Sequence, residues 1–159
     1  MQHKYLWVLL FVAILFSSFF WSAGGSRILD EAPYYYKKLI GQTGQVVVGN
    51  QTIDVEIAST PSARAKGLLG REYLAEKHGM LFVFPDADEY VFTMKGMSIN
   101  IDIVWILNGR ITHIAPNTQP DQPDINPGVP ANFVLEVRPG TAAGWQVGDD
   151  MEINFDTKK

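Results

Sequence analysis

A mainly β domain of α+β type, set behind one N-terminal membrane-spanning segment, is the fold class this sequence predicts. Three observations carry it: a long uncharged apolar run near the N-terminus, short alternating segments thereafter, and turn signals between them. The expected architecture is a compact antiparallel sandwich or partly closed barrel with two short helices.

Residues 1–4 form a short tail, and Tyr5 to Ala23 then run without a charge. As a helix these 19 residues reach roughly 28 Å, close to the ~30 Å hydrocarbon core of a bilayer. A secretory signal has a shorter apolar region, although Ser22-Ala23-Gly24-Gly25-Ser26 offers small residues for cleavage. The uncleaved anchor is therefore the favoured reading. Lys4 before the span keeps the N-terminus inside and puts the C-terminal domain outside the cytoplasm. A cleaved segment would leave the same domain secreted or periplasmic. Residues 24–45 read as a juxtamembrane linker, with Tyr34-Tyr35-Tyr36-Lys37-Lys38 suited to an interface.

One β-rich domain over residues 46–156 follows. Val46–Val48 and Gln51–Ala58 flank Gly49-Asn50, a two-residue turn, and Ile53, Val55 and Ile57 alternate with polar neighbours. Thr60-Pro61 caps and starts a helix that ends near Gly67 or Gly70. Glu72–Lys77 reads as a second helical piece, and Met80–Phe84 as an apolar strand. Pro85 to Glu89 is an acidic turn before a strand over Tyr90–Lys95. Ile101–Leu107 pairs with Arg110–Ala115 across Asn108-Gly109, a strong hairpin signal. Pro116 to Asn132 is a loop with five prolines, read as a rigid surface excursion or a lid. Phe133–Arg138 is a strand, Gly140–Trp145 a short helical turn, and Met151–Phe155 the closing strand.

Composition excludes several function classes. The net charge is −4 without a basic stripe, which argues against a nucleic-acid partner. Cysteine is absent, so disulfides, a lipidated cysteine and thiolate chemistry are excluded. No serine-hydrolase elbow, P-loop or dinucleotide fingerprint occurs. His78 and His113 lack metal-ligand spacing, and the acids of the proline-rich loop lack an EF-hand pattern, so no metal and no cofactor is expected. Met80, Met94 and Met97 carry thioethers that suit Cu(I), but without a Met-x-Met cluster they read as core or pocket lining.

Phe92 to Trp105 is the most informative stretch, because it puts Asp102 in an otherwise apolar strand. A carboxylate there is costly unless it is paired or richly hydrogen-bonded. Two readings stand: Asp102 pairs with Arg71 or backbone donors to fix the fold, or it faces an open pocket. Glu136 is the other carboxylate within a strong strand, either in that pocket or on a solvated face beside Arg138. The candidate ligand-binding set is Arg71, Lys95, Asp102, Glu136, Met94 and His78. If Asp102 and Glu136 met, one could act as acid and the other as base.

The blocks Gly67-Leu-Leu-Gly-Arg71, Gly79-Met-Leu-Phe-Val-Phe84, Phe92-Thr-Met-Lys-Gly-Met97, Ile101-Asp-Ile-Val-Trp-Ile106, Val134-Leu-Glu136 and Gly148-Asp149 occur in one order. In that order and spacing the chain resembles domain-of-unknown-function family 192, over about residues 55–154. Thr93, Gly96-Met97 and Asn100 depart from its common Trp, Asn-Thr and Pro. The resemblance implies a compact β-rich fold, often with an export signal or anchor, and supplies no molecular function. The resulting expectation is an anchored extracytoplasmic domain that binds a small ligand, a glycan or an envelope protein. A hydrolase or lyase of envelope material using Asp102 and Glu136, and a structural envelope protein without a pocket, are the alternatives. The lack of a second polar motif favours binding over catalysis.

Overall fold

A computed structural model describes residues 42–156. The expected span at residues 5–23 and most of the linker lie outside the described residues. No helix among the described residues is long and apolar enough to cross a membrane.

The elements are β1 (Thr43–Val48), β2 (Gln51–Ala58), α1 (Pro61–Lys66), β3 (His78–Asp88), β4 (Ile101–Leu107), β5 (Arg110–Thr118), β6 (Ala131–Val137) and β7 (Met151–Phe155). The strands form a single sheet in the order β5-β4-β6-β3-β2-β1-β7. Every neighbouring pair is antiparallel except β2 and β3, which need the crossover that α1 supplies. The two edge strands come together at one end. Arg110 bridges Asp150, the Ile111 N–H donates to Asp149 O (3.0 Å), and Met151 N–H donates to Gly109 O (2.7 Å). The architecture is therefore a curled half-barrel. A sandwich is ruled out because the strands make one continuous sheet, not two facing ones.

Both faces of the central strands are buried, so β3, β4 and β6 read as continuous apolar runs. Ile57, Leu81, Leu135 and Val104 stand side by side in register on one face. Phe82, Val134 and Trp105 do so on the other, in a cluster that includes Leu68, Met94 and Met97. Trp105 is fully buried there and its indole Nε1–H donates to Tyr90 O at 2.9 Å, so its one polar atom is satisfied.

α1 starts where the sequence places it. Thr60 is extended, its Oγ1 accepts from Ala63 N–H at 3.1 Å, Pro61 opens the first turn, and Gly67 caps the end at φ 46°. A six-residue helix cannot hold itself in water, so cap and tertiary contact both matter. Thr60→Ala is expected to cost about 1 kcal/mol, a fall in Tm of a few degrees in a thermal melt.

Several local expectations need correction. Glu72–Lys77 is not helical: Gly70 (φ 78°) and Lys77 (φ 56°) break the path, and Lys77 O is taken by Asp54 N–H at 2.8 Å. β3 runs through the supposed turn to Asp88, with a register shift after Val83 that accommodates Pro85, which has no N–H to give a ladder. Tyr90–Lys95 is not a strand; only Phe92 pairs, with Ile125, because the segment turns Met94 down onto the sheet. β5 extends past Ala115 to Thr118, which shortens the proline-rich loop. Residues 140–145 form successive turns with Ala143 N–H to Gly140 O (3.3 Å) and Trp145 N–H to Ala142 O (3.0 Å), short of a helix.

Candidate functional site

Strand alternation separates the two carboxyls that the sequence singles out. Asp102 stands directly opposite Val137 on β6, whereas Glu136 stands opposite Ile103. Residues in direct register share a face and successive residues take opposite faces, so Asp102 and Glu136 project from opposite sides of the sheet. They do not form an acid–base pair.

Asp102 is buried and bonded to the backbone. Its Oδ1 accepts from Asn117 N–H at 2.8 Å and its Oδ2 from Ala142 N–H at 3.0 Å. Asn117 lies at the β4–β5 register shift with φ 50°, where the ladder leaves its N–H unpaired. One side chain thus closes a bulge and ties the turns after β6 to the sheet. Arg71 takes no part, since its Nη2 pairs with Glu56 Oε2 at 2.6 Å on the surface. His78 is also exposed, with Nδ1 2.8 Å from Glu76 O. Met94 is fully buried, and its sulfur lies 3.6 Å from Thr118 Oγ1. Asp102, Arg71, His78 and Met94 therefore do not assemble into one site.

Glu136 and Lys95 do share one. Glu136 sits mid-sheet between Met80 on β3 and Ile103 on β4, only 6% exposed. It forms the floor of a cavity of about 240 Å³. The walls are Phe82, Phe84, Tyr90 and Phe92, with Leu68 and Met97, and Lys66, Thr93 and Lys95 also line it. Oε2 of Glu136 has no hydrogen-bond partner among the described residues. Burial pushes its pKa from 4.5 up to about 8, so near neutral pH it is largely a protonated carboxyl.

The walls are held by ring geometry. Phe84 stacks on Tyr90 at 3.5 Å between centroids, and Phe92 meets both Phe82 (5.0 Å) and Trp105 (5.7 Å) edge to face. Arg64 is fixed by α1 with Nη1 donating to Ser59 O and Val83 O, and its guanidinium lies 5.0 Å above Phe84. Gly67 brings the end of α1 so close that an added Cβ would lie 3.3 Å from Phe82 Cζ. On the opposite wall, residues 92–97 are strapped from outside. Asp121 N–H donates to Met94 O at 3.0 Å, Asp121 Oδ1 accepts from Gly96 N–H at 3.1 Å, and Ile125 bridges Phe92. The proline-rich loop is a brace for the cavity wall.

Leu69 (42% exposed) and Val91 (51%) leave apolar surface at the mouth. Sequence reading misses the cavity's aromatic walls, although one signal was available. Phe82 and Phe84 lie two and four residues after Met80, the register partner of Glu136, so they share its face. Only strand register reveals it.

The DUF192 family model, described as uncharacterized ACR, matches residues 44–155. Among solved structures, a candidate transcription regulator from Sinorhizobium meliloti 1021 is 31% identical, with TM-score 0.64, over 70% of this chain and 92% of that one. A protein of unknown function from Novosphingobium aromaticivorans DSM 12444 is 32% identical, with TM-score 0.64, over 69% of this chain and 83% of the other. No curated protein matches.

Proposed function

The chain belongs to the uncharacterised DUF192 family, and from that premise we propose that it is a membrane-anchored binding domain that takes a small ligand in the Glu136 cavity. One observation carries this reading: Glu136, a buried acid with one carboxyl oxygen lacking a partner among the described residues, lines an accessible, aromatic-walled cavity. Buried polar groups are nearly always hydrogen-bonded, so an orphan at the base of a cavity is suited to a ligand's polar atom. Catalysis with paired carboxyls has no support, because Asp102 is on the other face and fully engaged with backbone donors. A purely structural envelope role would leave the cavity and its orphaned acid without a purpose. A nucleic-acid role fits poorly with a net charge of −4.

Residues 5–23 would hold the domain on the outer side of the cytoplasmic membrane, supported by their 19 uncharged residues and by Lys4 before them. A C-terminal alkaline phosphatase fusion should be active and membrane-bound in a Gram-negative host. An inactive fusion would reject the orientation, and an active but soluble one would indicate cleavage.

The cavity is tested by a fragment titration of the full-length chain in detergent, followed by NMR. Thr93 is exposed and lines the cavity, so Thr93→Trp places a bulky ring in it without touching the core. Fragments that bind the wild type should lose at least tenfold in affinity with this variant. Equal binding to both proteins would place any ligand site elsewhere.

A further inference from the structure

We infer that the Glu136 cavity takes a single-ring monocarboxylate bearing an uncharged hydrogen-bonding group at the end opposite its carboxylate. This inference rests on the binding reading above and gives it a ligand class. Size sets the first limit. A dry cavity of about 150 Å³ holds benzene, so about 240 Å³ admits one ring with small substituents. Drug-sized ligands need roughly 300–1,000 Å³.

Shape sets the second. Phe82, Phe84, Tyr90 and Phe92 line the space and are locked by stacking and edge-to-face contacts, so the walls are rigid and apolar, which suits a flat ring. A flexible acyl chain would lose more rotamer entropy for the same contact. A sugar would carry hydroxyls around its whole ring, more than the apolar walls between Glu136 and the mouth can partner.

Charge sets the third. Glu136 is the acid among the lining residues, and burial keeps it largely protonated, so at the floor it offers an O–H donor and acceptor oxygens rather than a full charge. That floor suits a neutral hydroxyl or carbonyl. Lys66 and Lys95 line the same cavity and are exposed; among the described residues neither is ion-paired. They favour an anion at the mouth and disfavour a cationic ligand. The polar tip, ring and carboxylate thus follow one another from floor to rim.

The probe is 4-hydroxybenzoate, titrated at pH 7 into the full-length chain by calorimetry beside benzoate, phenol, benzylamine and octanoate. 4-Hydroxybenzoate should bind at least tenfold tighter than benzoate, which lacks the floor group, and than phenol, which lacks the rim group. Glu136→Leu should remove the advantage over benzoate, and the double change Lys66→Ala with Lys95→Ala the advantage over phenol. Circular dichroism should show all variants folded; if Glu136→Leu does not fold, Glu136→Gln at pH 7 and 9 replaces it, and should lose the fall in affinity that the wild type shows as Glu136 ionises. Tighter binding of benzylamine or octanoate, still blocked by Thr93→Trp, would overturn the ligand class and leave the cavity reading standing. No binding by any probe or fragment, or binding indifferent to Thr93→Trp, would overturn both.

Discussion

Glu136→Gln is expected to make the folded domain more stable than the wild type in alkaline solution, with the gain growing as pH rises. The cause is burial, which raises the Glu136 pKa from 4.5 to about 8. An acid whose pKa is higher in the folded state binds more protons there than when unfolded. Stability therefore falls as pH rises between the two values. The penalty is absent below about pH 4.5, accumulates up to pH 8 and is complete above it. At about 1.4 kcal/mol per unit, the stability difference between variant and wild type should widen by roughly 3–4 kcal/mol from pH 5.5 to pH 9. Glutamine has the same shape and cannot ionise, so its curve lacks this slope. Arg64, Lys66, Lys95 and Tyr90 are the other titratable groups around the cavity, and none outweighs the desolvation. Denaturant melts of both proteins across that range provide the check. Parallel curves would mean that Glu136 is solvated or paired, which would also remove the floor of the proposed site.

Asp102→Ala is expected to destabilise the domain by roughly 2–6 kcal/mol without weakening a ligand of the Glu136 cavity. Its two carboxyl oxygens accept the N–H groups of Asn117 and Ala142. Removing both acceptors leaves two donors unpaired, at about 1–3 kcal/mol each. Asp102→Asn should cost about half as much, since an amide keeps one acceptor and turns an N–H toward the other donor. In a domain of this size the alanine change lowers Tm by roughly 10–20 °C. The cavity lies on the other face of the sheet, so affinity at a temperature where the variant is folded should be unchanged. A loss of binding with undiminished stability would reverse the assignment and make Asp102 part of a site.

These two carboxyls mark how far the sequence could be read. Both stood out as acids in apolar strands, and each is buried in the fold. Asp102 could be read as backbone-bonded because burying a carboxyl demands partners, although nothing in the chain named Asn117 and Ala142, 15 and 40 residues away. Lys95 lines the same cavity as Glu136, whereas Arg71 pairs with Glu56 on the surface instead. The alternative in which Asp102 and Glu136 act as an acid–base pair fails on a single step of register. Moving a strand partner by one residue exchanges the faces of the sheet.

By itself, the sequence determined the strands Gln51–Ala58, Ile101–Leu107 and Met151–Phe155, the Thr60 cap and the Asn108-Gly109 hairpin. Those features depend on alternation, capping and turn chemistry, which act between residues close in the chain. The family followed from six ordered blocks, and the matched residues 44–155 bear it out. Only the tertiary structure decided that the strands curl into one half-barrel, that residues 90–95 cover the sheet without joining it, and that aromatic residues from β3 and from 90–92 converge over Glu136. Those outcomes depend on pairing between distant segments, and register across a sheet is set by contacts that no local pattern encodes.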